Sequence, residues 1–85
     1  MKKVKENTMW IRSQDKKKLV KCSSFSIVRN WGGNKNKAIL GKVSNVSLFV
    51  KEVVLGLYET EEIALNELSL IQKELVKNTD LYEMN

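Results

Sequence analysis

VVLGLYETEEIALNELSLIQKELVK, Val53 to Lys77, changes its apolar period at Thr60, and that change decides the fold class. Before Thr60 the pattern alternates. Val53, Leu55 and Leu57 share one face of a strand, and Val54, Gly56 and Tyr58 share the other. After Thr60 the period is helical. Ala64, Leu68, Ile71 and Leu75 form one apolar stripe, flanked by Ile63, Leu65, Leu70 and Val76. Thr60 is a good N-cap, because its hydroxyl can accept a hydrogen bond from a free first-turn amide. Glu61 and Glu62 suit the positive end of the helix dipole, and Lys73 and Lys77 suit the negative end. The apolar face is wider than one small sheet needs, which predicts a second partner such as another copy of the chain.

Upstream the pattern is that of short strands. Trp10 to Ser13 reads as a strand, Gln14 to Lys17 as a polar turn, and Leu19, Val20 and Cys22 as a second strand. Ser23 and Ser24 break or bulge it, and Phe25 to Val28 resumes it with Phe25 and Ile27 on one face. Asn30 to Asn36 holds three Asn and two Gly, residue types that tolerate positive φ, and is the strongest turn signal. Ala38 to Val43 and Val46 to Val50 read as strands around a Ser44-Asn45 turn. Lys51-Glu52 is either a turn or the middle of a longer strand. The predicted fold is α+β: an antiparallel sheet of four to six strands packed against one C-terminal helix. Residues 1–8 are expected to be a disordered basic arm, 9–78 a single sheet-plus-helix domain, and 79–85 a frayed tail.

Composition narrows the chemistry. The 85 residues include one cysteine and no histidine. Cys22 alone cannot form an internal disulfide, and a zinc or iron site would have to rely on carboxylates. The expectations are no metal, no cofactor and a reducing, cytoplasmic compartment. No apolar run approaches the roughly 18–20 residues of a membrane span. Charge is uneven. Residues 1–42 carry twelve Lys and Arg against Glu6 and Asp15, whereas residues 43–85 carry Lys51, Lys73 and Lys77 against eight acids. Such asymmetry steers anions to one region or complements itself internally.

Two stretches, MWIRSQDKKKLV (Met9 to Val20) and VVLGLYETEEIALNELSLIQKEL (Val53 to Leu75), resemble the opening and ending of a set of small uncharacterised proteins. These are proteins of Gram-positive bacteria and their phages. The resemblance implies a sheet-plus-helix domain and a phage or mobile-element setting. It implies no activity and no site residues.

Catalysis is not expected. Without histidine, acid–base work would fall to groups such as Glu59 and Glu62, which a capped helix start explains equally well. Cys22 has no base and reads as a half-buried strand residue. Gly41-Lys42 lacks the spacing and hydroxyl of a P-loop, and Gly32-Gly33 does not make a dinucleotide fingerprint.

Binding residues are easier to find. Trp31 offers a stacking surface for a base, Gly32 and Gly33 can present amides to an anion, and Arg29, Lys35 and Lys37 can meet phosphate. Arg12 beside Trp10 is a second basic–aromatic pair. The alternatives are that Trp31 folds back over the sheet and that Trp10, next to Ile11, is core. Lys16 to Lys18 read as solvated charges or as phosphate contacts. The acidic helix argues against duplex DNA. The expected role is therefore a non-enzymatic binding protein for an anionic small molecule. A nucleotide or nucleotide-derived signal fits best, and counter-defence by sequestration fits the phage setting. The chain is expected to form homo-oligomers. A module that engages or inhibits a host protein and an RNA or single-stranded DNA binder are the alternatives.

Overall fold

The computed structural model describes residues 8–43 and 51–85. The expected arm, Thr8 apart, and the expected strand Val46 to Val50 with its Ser44-Asn45 turn lie outside the described residues. The elements are β1 (Met9–Arg12), β2 (Leu19–Arg29), β3 (Lys37–Val43), β4 (Lys51–Tyr58), α1 (Glu61–Val76) and β5 (Leu81–Glu83). The fold is α+β. The five strands of the described residues lie in the order β4-β3-β2-β1-β5, and the helix packs against the sheet. The sheet is mostly antiparallel, with one exception: β5 runs parallel to β1.

That exception corrects the expected frayed tail. Residues 81–83 pair with Trp10 to Arg12, and Met84 is buried. The chain turns back to reach β1 because α1 ends in a Schellman motif. The Thr79 amide donates to the Glu74 carbonyl, the Asn78 amide donates to the Leu75 carbonyl, and Asn78 takes the left-handed conformation at φ 63°. Thr60 caps the other end, its Oγ1 accepting from the Ile63 amide at 3.1 Å.

β2 is one strand of 11 residues rather than two, with a register shift between Cys22 and Ser24. Its first part pairs with β1 and its remainder with β3. Lys51 and Glu52 are strand residues, paired with Val43 and Lys42. A second register shift between Ile39 and Leu40 leaves Leu55 unpaired and turned into the core, so Leu55 and Tyr58 are both buried despite opposite parity.

The sheet bends enough for the β1–β2 turn to touch β4, which is not its neighbour in the sheet. The Gln14 amide donates to the Leu55 carbonyl at 2.7 Å, and Gln14 Oε1 accepts from the Leu57 amide at 2.9 Å. The core between sheet and helix contains Met9, Ile11, Cys22, Ile39, Leu55, Tyr58, Ala64, Ile71 and Met84. Leu68 and Leu75, also on the expected stripe, are half-buried. On the flanks of that stripe Ile63, Leu65, Leu70 and Val76 are exposed.

Cys22 is fully buried, and burial pushes its thiol from the ordinary 9.0 up to about 11. Burial also pushes the Tyr58 and Tyr82 hydroxyls up, with the nearby Glu67 charge acting in the same direction. Each group keeps its proton to higher pH when folded than when unfolded. Stability from these groups is therefore fully present below their unfolded values and is lost as pH rises through the folded ones. Urea midpoints should fall from about pH 9 upward, and Cys22→Ala should make that fall shallower. A midpoint that stays flat to about pH 11 would contradict the assignment.

Candidate functional site

The β2–β3 hairpin ends in the loop that the sequence singled out. The Asn30 amide donates to the Asn36 carbonyl at 2.7 Å, and Asn30 Nδ2 donates to the Lys35 carbonyl at 2.9 Å. Gly32 and Gly33 sit at φ 97° and 74°, successive left-handed positions that only glycine adopts without strain. Trp31 is 81% exposed and does not fold back over the sheet. The Arg29 guanidinium carbon lies over its ring, 5.0 Å from the centroid. This is a cation–π contact, worth about 0.5–1 kcal/mol at an exposed site. It orders two long side chains at the hairpin tip.

Not every predicted residue joins them. Lys37 sits directly opposite Arg29 where the loop re-enters β3, but it is ion-paired with Glu61 at 3.7 Å, at the start of α1. Arg12 is elsewhere. It pairs with Leu19 at the beginning of β2, and the tryptophan loop follows Arg29 at the end. Ten strand steps separate those ends, about 33 Å. Of the seven expected residues, Arg29, Trp31, Gly32, Gly33, Lys35 and Lys37 therefore lie at one end of the β2–β3 hairpin, and Arg12 does not.

Arg12 instead belongs to a second basic region. Successive strand residues face opposite ways, so burial of Met9 and Ile11 turns Trp10 and Arg12 to the sheet face away from the helix. Trp10 is accordingly exposed, not core. Arg12 lines a recess of about 350 Å³ with Lys16, Lys17, Lys18, Leu19 and Leu81. The sequence placed these lysines after a turn, but could not place Leu81 beside them. That contact follows from the parallel β1–β5 pairing.

A third arrangement is structural in character. Glu67 is 4% exposed, and its carboxylate accepts from the Tyr82 hydroxyl at 2.8 Å, the Asn85 amide at 2.9 Å and Asn85 Nδ2 at 2.9 Å. The Asn85 backbone oxygen accepts in turn from Tyr58 Oη at 2.9 Å and Gln14 Nε2 at 3.1 Å. A glutamate within an acidic helix reads first as a solvated charge. Its spacing held the missed signal: three residues after Ala64 and four before Ile71, it lies on the apolar stripe itself.

No helix of the described residues is long and apolar enough to cross a membrane. Comparison with protein-family models, curated proteins and solved structures finds no match.

Proposed function

We propose that the chain is a non-enzymatic binding protein that holds a nucleotide-like anion at the β2–β3 hairpin. The observation that carries this reading is the exposed Trp31 ring with the Arg29 guanidinium already stacked on it. An indole in water at a hairpin tip contributes nothing to the core. With Arg29 over one face, the other face is available to a base, and Arg29 and Lys35 supply positive charge beside it. Sequestration of a nucleotide signal needs no more than this grip, and no catalytic step is invoked.

Stacking of a base on an aromatic side chain is worth about 1–3 kcal/mol. Trp31→Ala should therefore weaken binding of a nucleoside oligophosphate by roughly tenfold or more. Titration calorimetry measures this directly. Quenching of indole fluorescence in a Trp10→Phe background places the contact at Trp31. Equal affinity in Trp31→Ala would remove the reading. Affinity that grows with the length of a single-stranded RNA and collapses with salt would transfer it to nucleic acid.

Exposed Ile63 and Leu70 on one flank of α1, with Leu65 and Val76 on the other, favour a second reading, in which the helix meets a protein partner or another copy of the chain. Sedimentation across a concentration series, with Leu70→Glu as the disrupting change, separates a self-associating chain from a monomer.

A further inference from the structure

We propose that the recess between the β1–β2 hairpin and β5 is an anion site of its own, built for a linear oligophosphate group, whether free or the tail of a nucleotide. It rests on residues separate from the Trp31 hairpin and stands or falls independently of it.

Four cationic side chains, Arg12, Lys16, Lys17 and Lys18, open into one recess whose remaining walls are Leu19 and Leu81. Solubility charges are normally spread apart, because like charges repel and each prefers water. Here one strand and one turn converge them, and the two leucines exclude part of the water that would otherwise screen a bound anion.

The turn that carries the lysines is well ordered. Ser13 Oγ donates to Asp15 Oδ1 at 2.6 Å and accepts from the Lys18 amide at 3.0 Å. Asp15 Oδ1 also accepts from the Lys17 amide at 2.9 Å. The Ser13 hydroxyl and then the Lys17 amide hold the Asp15 carboxyl below its ordinary range, so it remains an acceptor. Lys16 occupies the left-handed region at φ 66°, and its carbonyl accepts from Arg12 Nε at 3.3 Å. One edge of the guanidinium is thereby fixed, leaving its terminal nitrogens as a fork for two phosphate oxygens.

Counter-charge comes from two carboxylates: Asp15, in the same turn, interacts electrostatically with Lys18 and Lys17. Glu83 pairs with Lys16 at 3.4 Å. Arg12, Lys17 and Lys18 have no carboxylate within ion-pair distance among the described residues. A single phosphate cannot reach every cation of a recess this size, whereas a chain of two or three phosphates can. Trp10 lies on the same sheet face, opposite Leu81 and two residues from Arg12. It offers a surface for a base if the oligophosphate is a nucleotide tail.

The test is calorimetric titration of inorganic tripolyphosphate into the full chain at low ionic strength. Saturable binding near one per chain is expected. The double variant Lys17→Ala/Lys18→Ala, whose side chains are exposed and outside the core, should weaken it by roughly tenfold or more. Glu83→Gln should tighten it severalfold by releasing Lys16. Lys73→Ala, in the last turn of α1 and outside both sites, should leave it unchanged. A nucleoside triphosphate that binds more tightly than tripolyphosphate, with the advantage lost in Trp10→Phe/Trp10→Ala comparisons, identifies a nucleotide tail; equal affinities identify free oligophosphate. Non-saturable binding, or equal losses in Lys73→Ala and in the recess variant, would reduce the recess to general surface charge and overturn the proposal.

Discussion

Glu67→Ala is expected to cost the fold about 3 kcal/mol and to lower the thermal midpoint by roughly 12 °C or more. The buried carboxylate accepts three hydrogen bonds, two from Asn85 and one from Tyr82. Hydrogen bonds to a charged group contribute about 1.5–3 kcal/mol each, and donors left unpaired in the interior add their own cost. The loss should be partly local. β5 is only three residues long and gains little from its own pairing. Without Glu67 the Met84 amide, which donates to the Arg12 carbonyl, should exchange with solvent much faster than amides in β2 and β3. Glu67→Gln keeps the volume and one acceptor oxygen, so about half the loss is expected. Scanning calorimetry with amide exchange at residues 82 and 84 checks both parts. A cost below about 1 kcal/mol with unchanged exchange would mean that β1 alone holds the tail.

The consequence reaches the basic recess, because Leu81 forms one of its walls and Glu83 holds Lys16. An unlatched tail should open that wall while leaving the Trp31 hairpin untouched. Glu67→Ala is therefore expected to change tripolyphosphate binding without changing the response of Trp31 to a nucleotide.

The parts of the fold that were legible are those whose signal is local. Thr60, the acidic first turn and the stripe through Ala64 and Ile71 lie within one helix, and each constrains the same segment. The Trp31 loop was legible for the same reason: its glycines and asparagines mark the turn that the structure contains. β5 was not legible, because LYE carries no alternation long enough to announce a strand. It becomes one through the turn just before it, which aims it at β1, and through Glu67, 15 residues away from Tyr82 in sequence. Arg12 shares no end of the sheet with the Trp31 loop because β2 runs on past its register shift, with Arg12 opposite its first residue and the loop after its last. Gln14 and Tyr58, from the two stretches that carry the resemblance, meet at Asn85, a convergence that neither stretch announces alone.

Gly41→Val should be at least as damaging as the loss of Glu67, about 3 kcal/mol, and for the opposite reason. Gly41 sits in β3 opposite Phe25 on one side and Val53 on the other. A Cβ there would lie 2.6 Å from Cys22 Sγ and 2.8 Å from Leu55 Cδ1. Both neighbours are fully packed in the core, so neither can retreat into solvent. The glycine followed by Lys42 thus serves packing rather than phosphate binding. It lets the side chains of β2 and β4 meet over β3, next to both register shifts. Gly41→Ala should cost about 1–3 kcal/mol, even though alanine has the better backbone entropy. Leu55→Ala alone should cost about 2–5 kcal/mol by leaving a cavity. Together the two changes should cost less than their sum by about 1 kcal/mol or more, because the new methyl group occupies space that the leucine vacates. Urea midpoints of the four proteins in this cycle measure the coupling. Strict additivity would mean that the sheet relaxes around residue 41, and that Gly41 is not what permits the close approach of Cys22 and Leu55.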